Sequence, residues 1–191
     1  MLNSNTKKLT FCAIMIALAT ALSFVKFFEM PQGGSVTLAS MLPIILISYK
    51  CDLKWALTSS IIYGVIQLLQ GIAYVPADIG GAILCILLDY VVAFGVLGLA
   101  GTFGKLFKNP YVKIIGGTAI AIALRFVCHF LSGILIWASY AEGTGLSPAV
   151  YSLTYNGSFL LVEFAITVAI TIALSHFILK EVVMKQADKK A

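Results

Sequence analysis

The sequence predicts an all-α integral membrane protein with six transmembrane helices and with both termini in the cytoplasm. Its 191 residues are 60% hydrophobic and only 11% charged, and the mean hydropathy is +1.00. Soluble domains carry about 25% charged residues, so this chain has too few charged side chains to cover a water-exposed surface. We therefore expect a single six-helix membrane domain that covers residues 1–191.

Six apolar runs are candidates for membrane-spanning helices, because about 20 apolar residues are enough to cross a bilayer as a helix. The second run is short enough to be tilted or partly re-entrant. The last two exceed the usual span, so we expect them to tilt or to extend past the bilayer. In chain order the predicted spans cover residues 9–28, 36–49, 55–74, 79–103, 112–140 and 148–179.

The predicted orientation follows from the cations. Eleven of the 13 Lys and Arg residues fall on one side of a six-span arrangement. By the positive-inside rule this side is cytoplasmic. The same placement explains the pI of about 9.0 without a nucleic-acid partner, because the basic residues are too dispersed to form a binding face. The eleven residues are Lys7, Lys8, Lys50, Lys54, Lys105, Lys108, Lys113, Lys180, Lys185, Lys189 and Lys190.

Several charged and polar side chains lie inside these spans. A charge at the bilayer centre costs about 2.5–3.5 kcal/mol on insertion scales, and such residues usually face a cavity, a partner or a ligand. At about 1.5 Å per residue, we place Asp89, Arg125, His129, Asn156 and Glu163 at depths of roughly 12–24 Å from the outer side. The polar residues of span five recur every three or four positions, so they share one helical face. The sequence thus predicts a cavity, open to the outside, between spans four, five and six.

Counting the buried charges predicts the chemistry of a ligand. Arg125 and Glu163 lie at similar depth and could neutralise each other, which leaves the Asp89 carboxylate without a partner. A buried carboxylate is costly unless it is protonated or matched by a positive charge. A cationic ligand would match it, and aromatic side chains could stack on that ligand. We expect a small, cationic, aromatic or amide-bearing solute.

Each of these residues also has a purely structural interpretation. Arg125 could be a structural ion-pair partner, and His129 could be a packing histidine. Trp137, Tyr140 and Tyr151 could belong to the belt of aromatic residues at the membrane interface. Asp89 is the hardest of these residues to explain structurally. Tyr74, at the outer mouth, is either a belt residue or part of a lid.

The sequence shows no source of energy for transport. It has no P-loop, nucleophile motif, catalytic carboxylate pair or metal motif. We therefore expect neither an enzyme nor a metal or cofactor site, and either gradient-driven transport or ATP hydrolysis by another polypeptide. Ala13 and Ala17 are small residues four positions apart in span one, a spacing that allows another helix to approach closely. The glycine-rich loop at 30–35 either gates the cavity or is a plain turn.

Several segments match one known family when they are taken together. They are His129-Phe130-x-Ser132-Gly133, Trp137, Tyr140-Ala141, Tyr151-Ser152-Leu153, Asn156-Gly157, Met30-Pro31-Gln32-Gly33-Gly34-Ser35 and Leu88-Asp89-Tyr90. Over essentially its whole length the chain resembles the thiamine-specific substrate-binding subunits (S-components) of energy-coupling factor (ECF) transporters.

The resemblance implies a six-helix subunit of the bacterial cytoplasmic membrane that binds thiamine with high affinity from outside and has no ATPase of its own. It implies docking through an alanine motif like Ala13-x-x-x-Ala17 onto a transmembrane coupling protein that carries two ATPase subunits. Transport would involve toppling of the S-component in the membrane. The ligand contacts implied by matching positions are Tyr74, Asp89, Tyr90, Arg125, His129, Trp137, Tyr151 and Asn156.

Three positions depart from the pattern of some family members. Gly34 and Leu38 stand where a tryptophan and a glutamate can occur, and Ile72 stands where a histidine can occur. Asp89 is also shorter than the Glu of some members. We therefore expect the site to be completed differently here, with Glu163 as the candidate.

Other functions remain open on the sequence alone. One is an S-component for a related pyrimidine or thiamine precursor. Others are a self-sufficient secondary transporter of a small cationic solute, an intramembrane enzyme, and a structural membrane subunit with a packed polar core.

Overall fold

In the computed structural model, which describes the backbone of residues 4–187 and the side chains of residues 4–177, six main helices pack against one another, and a small two-stranded sheet follows the first of them. Lys189 and Lys190, and the side chains of Lys180 and Lys185, lie outside the described residues. The six predicted helices are confirmed within this part of the chain. They are α1 (Asn5–Ser23), α2 (Met41–Lys50), α3 (Leu53–Gln70), α4 (Ile79–Gly104), α5 (Pro110–Leu135) and α6 (Pro148–Ala187).

The prediction of a purely helical chain is wrong at one place, because an antiparallel hairpin follows α1. Strand β1 (Lys26–Glu29) pairs with strand β2 (Ser35–Thr37). The predicted spans 9–28 and 36–49 therefore include hairpin residues that belong to neither helix. A short apolar run has no decisive period, so residues 24–28 are compatible with strand or helix. Gly33 and Gly34 close the turn with φ of +89° and +88°, a conformation that glycine adopts without strain.

Short side chains define where the later helices begin. The Asn109 side chain accepts hydrogen bonds from the backbone N–H groups of Tyr111 and Val112, and Pro110 occupies the first turn of α5. Asp52 and Asp78 cap α3 and α4 in the same way. Such caps satisfy N–H groups that have no partner within the helix. These three side chains therefore fix the positions at which α3, α4 and α5 begin.

An ion pair ties the N-terminal part of α1 to the start of α3. The Lys8 ammonium lies 2.5 Å from a carboxylate oxygen of Asp52. This hydrogen-bonded ammonium holds the pKa of Asp52 below its usual range. The pair therefore contributes stability above the ordinary carboxyl pKa, and that contribution is lost as the pH falls through the lowered value.

Helix α2 is enclosed by the other helices. It has 10 residues and is therefore about 15 Å long, about half of the roughly 30 Å that a spanning helix must cover. Ile44, Ile45 and Ile47 have no exposed surface and form the centre of the main hydrophobic core. The predicted second span is thus a short buried helix preceded by the hairpin, and it cannot cross a bilayer alone.

The remaining surface is that of a membrane protein. By length and composition, α1, α4, α5 and the part of α6 from Pro148 to Phe177 can each cross a membrane. Large apolar side chains on their outer faces are exposed, among them Ile14, Leu135 and Leu161. Because these faces have no protein partner within the described chain, they fit an environment of lipid tails.

Helix α4 is irregular where it passes the centre of the molecule. Residues Ile86–Val92 form a π-helical segment, and Val96–Leu99 form a 3-10 segment. Asp89 and Tyr90 lie in the π-helical segment. Such segments are rare and frequently occur at functional sites, because the wider turn re-aims side chains.

Glycine allows α2 and α4 to approach closely. A Cβ atom added at Gly101 of α4 would overlap the Ser48 carbonyl of α2, whereas one added at Gly157 of α6 would have its nearest neighbour at 3.9 Å. The Gly101 N–H also donates to the Ser48 hydroxyl at 2.8 Å.

We predict that Gly101→Ala lowers the stability of the purified protein by about 1–3 kcal/mol, the usual cost of overpacking. Gly157→Ala is the matched control and should be neutral or stabilising by up to about 1 kcal/mol through helix propensity. Thermal unfolding of both variants in detergent measures the difference. Equal melting temperatures would show that α2 and α4 are not in contact at Gly101.

Candidate binding cavity

A cavity of about 200 Å³ lies between the hairpin, α3, α4, α5 and α6. It is lined by every residue that the sequence and the family resemblance put forward as a ligand contact. These nine are Tyr74, Asp89, Tyr90, Arg125, His129, Trp137, Tyr151, Asn156 and Glu163. The fold therefore brings all nine residues to one cavity, and their location alone does not identify a ligand.

Asp89 has the most hydrogen-bond donors of the acidic residues in the cavity. One carboxylate oxygen lies 2.8 Å from His129 Nδ1. The other accepts from the Ser132 hydroxyl at 2.5 Å and from the Trp137 indole N–H at 3.4 Å. Two donors come from α5 and one from the turn that follows it, so the carboxylate joins α4 to α5. This arrangement fixes the orientation of a negative charge on the cavity wall.

Arg125 lies behind His129 on the same face of α5. Its Nε donates to His129 Nε2 at 3.3 Å, and its guanidinium carbon lies 4.1 Å from the centre of the Phe94 ring. Because His129 Nε2 accepts this bond, the ring proton is on Nδ1 and is donated to Asp89. Arg125 therefore selects the tautomer that binds Asp89, and Phe94 holds the guanidinium by a cation–π contact.

Glu163 binds the hairpin. One carboxylate oxygen accepts from the backbone N–H and the hydroxyl of Thr37, which ends β2. The residue is only 4% exposed, and its other oxygen, Oε2, is buried without a hydrogen-bond partner among the described residues. Glu163 thus connects α6 to the hairpin and keeps one acceptor oxygen free.

These contacts correct the charge assignment made from the sequence. Arg125 and Glu163 do not form an ion pair within 4.0 Å; Arg125 contacts His129 and Phe94 instead. Asp89 is not left without partners, because three side chains donate to it. The depth of a residue along its helix could not predict these side-chain partners. The partners depend on the rotation of each helix about its axis and on the π-helical turn of α4.

The approach of α5 and α6 brings Asn156 into the same wall. A Cβ at Gly133 would overlap the Ser152 hydroxyl, so glycine is required for this contact. The Asn156 amide nitrogen donates to the carbonyls of His129 and Ser152 at 3.2 and 3.1 Å. Two carbonyl partners identify this atom as the nitrogen, which leaves the amide oxygen for the cavity.

Aromatic rings form much of the remaining lining. Trp137 stacks on Tyr140 with ring centres 5.6 Å apart, and Tyr151 stacks on Tyr155 at 5.8 Å. The Tyr90 hydroxyl donates to the Gly71 carbonyl at the end of α3. Flat aromatic surfaces of this kind suit a planar, preferably cationic, solute.

The turn between β1 and β2 covers one end of the cavity. The Tyr155 hydroxyl donates to the Gly33 carbonyl and accepts from the Gln32 N–H, both at 2.9 Å. The Tyr74 ring lies 3.4 Å from where a Gly33 Cβ would be. The turn thus touches the cavity and is held by Tyr155, and gating by residues 30–35 stays a prediction.

Phe159 explains one of the three departures from the family pattern, the glycine at position 34. A Cβ at Gly34 would lie 2.8 Å from the Phe159 ring, so this ring fills the space into which a side chain at 34 would project. Leu38 and Ile72 are exposed and do not line the cavity. The buried acidic group on this side of the cavity is Glu163, whereas Glu29 of β1 lines it from an exposed position.

Sequence reasoning missed several lining residues. Tyr155 carries the hairpin contact, and its position four residues after Tyr151 on one helical face was a usable signal. Thr37 and Gln67 also line the cavity. Nothing in the sequence pattern marked them, because their role depends on which elements come together.

Ala13 and Ala17 lie elsewhere. Both are on the exposed side of α1, and neither lines the cavity. Within the described residues, no group of three or more His, Cys, Asp or Glu side chains is arranged to hold a metal ion.

The fold and the cavity define a class: a membrane protein with a polar, aromatic cavity of small-solute size. Residues 9–183 match the model of a family described as Thiamine transporter protein (Thia_YuaJ). Thiamine transporter ThiT of Bacillus subtilis is 33% identical over 165 residues, which cover 81% of this chain and 82% of the relative. Thiamine transporter ThiT of Lacticaseibacillus paracasei is 29% identical over an alignment 191 residues long, and the match covers 88% of this chain and 89% of the relative.

The solved structure of ThiT from Listeria monocytogenes has the same fold. The TM-score is 0.72 at 24% sequence identity, and the match covers 92% of this chain and 96% of that chain. This chain therefore belongs to the thiamine transporter protein family, which confirms the family that the sequence motifs indicated. The relatives are named as transporters, in agreement with the prediction that the chain is not an enzyme.

We predict that Tyr155→Phe loosens the hairpin turn, because it removes the donor to Gly33 and the acceptor for Gln32 while keeping the stacked ring. Each hydrogen bond contributes about 0.5–1.5 kcal/mol, so amide hydrogen exchange at residues 32–35 should become several-fold faster. Tyr111→Phe, at an exposed tyrosine of α5, is the control and should not change it. Unchanged exchange in Tyr155→Phe would show that the turn is held by other contacts.

Proposed function

We propose that this protein is the high-affinity thiamine-binding subunit of an ECF-type importer in the bacterial cytoplasmic membrane. Both termini would be cytoplasmic, as the cation distribution predicts, and the cavity would take up thiamine from outside. Thiamine would be the ligand, with no cofactor. The observation that carries the proposal is the Asp89 carboxylate, held by three donors on the wall of a cavity lined by aromatic rings.

Thiamine joins a cationic thiazolium ring to an aminopyrimidine, so it needs negative charge, aromatic surface and hydrogen-bond partners. Asp89 and Glu163 would supply the negative charge for the thiazolium and accept hydrogen bonds from the aminopyrimidine. The unpartnered Oε2 of Glu163 supports this role, since a buried acceptor is costly until a donor reaches it.

The aromatic residues would provide stacking and orientation. Trp137, Tyr151, Tyr90 and His129 would stack on the ligand or form hydrogen bonds with it, and Tyr74 would contact it from the end of α3. A cation over an aromatic face gains about 0.5–2 kcal/mol. The free amide oxygen of Asn156 would accept from a polar edge of the ligand.

Arg125 would act mainly through His129. Its Nε is already bonded to His129 and its guanidinium lies over Phe94. A cation in direct contact with thiamine would also repel the thiazolium. We therefore propose that Arg125 keeps His129 in the tautomer that donates to Asp89.

Thiamine titration of the purified protein, followed by tryptophan fluorescence, tests the proposal. Trp137 lines the cavity, so its emission should change on binding. We predict tight binding by the natural protein and at least about tenfold weaker binding by Asp89→Asn, a loss of about 1.4 kcal/mol or more. Glu142→Gln removes a carboxylate from an exposed loop and should bind like the natural protein.

Four outcomes would count against this function. Absence of tight thiamine binding, or equal binding by Asp89→Asn, would reject the site. Tighter binding of an isolated aminopyrimidine precursor than of thiamine would favour the alternative S-component. Uptake of thiamine into liposomes by this chain alone would favour a self-sufficient secondary transporter.

ATP hydrolysis would be supplied by two ATPase subunits, joined to this chain by a transmembrane coupling protein. Ala13 and Ala17 support α1 as the docking helix, because they are exposed and leave room for another helix to approach its backbone.

We predict that Ala13→Leu/Ala17→Leu abolishes co-purification with the coupling protein and its ATPases, because the larger side chains prevent this approach. Thiamine binding by the isolated subunit should be unchanged, since neither residue lines the cavity. Ala165→Leu/Ala169→Leu makes the same change on α6, also at two exposed alanines four residues apart, and should leave the complex intact. Loss of the complex in both variants would mean that docking is not specific to α1.

A further inference from the structure

The hairpin after α1 carries a run of large apolar side chains that no other part of the described chain covers. Phe24, Val25, Phe27 and Phe28 are 67%, 46%, 63% and 58% exposed. We call these four residues the aromatic hairpin face. They flank or belong to β1, the strand whose partner β2 contacts α6 through Thr37.

The length of α1 places this face at one level of a bilayer. Helix α1 has 19 residues, so it rises about 28 Å, close to the roughly 30 Å thickness of the hydrocarbon core. The aromatic hairpin face begins at the next residue. Ile14 and Leu18 on α1 are also exposed, so the apolar surface of the spanning helix leads directly to it.

Two features prevent the hairpin from lying deeper. The sheet has only two strands, so the outer edge of β1 has backbone groups without a strand partner, and such groups are not tolerated in contact with lipid tails. Lys26 and Glu29 form an exposed ion pair at 2.7 Å, and charges also require water or headgroups. Apolar side chains therefore favour lipid while the backbone edge and the charges favour water.

We propose that the aromatic hairpin face inserts into the boundary between headgroups and acyl chains of a phospholipid bilayer. At this level the apolar side chains contact lipid, while the backbone edge of β1 and the charged side chains contact water or headgroups. The aromatic hairpin face also continues the lipid-facing surface of α1. The register favours this placement, because Phe27 is the extra residue of a β-bulge between Lys26 and Phe28, and a bulge re-aims a side chain away from the regular ladder.

The consequence concerns access to the cavity. Lys26 and Glu29 line the cavity, as do residues 32–35 of the turn, whereas Phe27 and Phe28 do not. The hairpin thus contacts the bilayer through Phe27 and Phe28, and it lines the cavity through Lys26 and Glu29. Any opening of the turn moves aromatic groups within the lipid interface.

The test uses the full-length protein reconstituted in phosphatidylcholine–phosphatidylglycerol vesicles, with Phe27→Cys labelled by the environment-sensitive dye NBD. The native cysteines are free and buried, and labelling of the unsubstituted protein measures their background. Thr144→Cys, in the exposed loop after α5, is the matched control. Phe24→Cys is a second probe position in case Phe27→Cys does not fold, with monodisperse elution as the folding criterion.

We expect blue-shifted NBD emission at position 27 and stronger quenching by lipids that carry a doxyl group at carbon 5 than at carbon 12. The probe at position 144 should have solvent-like emission and be quenched by aqueous iodide. Solvent-like emission at 27 would overturn the proposal, as would stronger quenching by the 12-doxyl lipid, which would place the hairpin in the hydrocarbon core. A third outcome is blue-shifted emission that no doxyl lipid quenches and that changes with the protein-to-lipid ratio. This outcome would also overturn the proposal, because it would identify a second copy of the chain as the partner of the hairpin. No ligand is needed, so the result does not depend on thiamine binding.

Discussion

A carboxylate halfway along a membrane helix needs hydrogen-bond donors, and the arrangement of α4 and α5 satisfies this need at Asp89. His129, Ser132 and Trp137 all donate to it, and they come from α5 and the turn that follows. The two helices must therefore lie side by side at this level with their polar faces toward each other. The π-helical segment of α4 contains Asp89, so the helix departs from regular geometry where this side chain is aimed.

The same constraint extends to the third wall of the cavity. His129 can bind Asp89 through Nδ1 because Arg125 occupies its other ring nitrogen, and the backbone carbonyl of His129 accepts from Asn156 on α6. Gly133 permits this contact, because any side chain there would overlap Ser152. One partly buried charge is thus connected to three helices through a continuous hydrogen-bond network, and such networks rigidify the groups they join.

The hairpin is attached less firmly than the helices. Tyr155 binds its turn and Glu163 binds the end of β2, while one side of β1 has no protein partner in the described chain. Regions with few buried contacts open at lower free energy than the core. A rigid polar wall and a loosely held cover on the same cavity are suited to a site that must hold a solute firmly and still admit it.

The sequence by itself determined the membrane class, the six helices and several of the residues that line the cavity, because these depend on composition, on apolar run length and on helical spacing. The polar stripe of α5 could be found in this way, as could Asp89, Asn156 and Glu163 as polar groups in apolar runs. Only the tertiary structure decided the partners: Arg125 with His129 in place of Glu163, Glu163 with Thr37, and Tyr155 with the hairpin turn. It also showed a β-hairpin and a short buried α2 where the pattern predicted longer spans. The physical reason is that depth along a helix follows from residue number, whereas rotation about the helix axis, local π-helical turns and strand pairing depend on contacts between segments far apart in the chain.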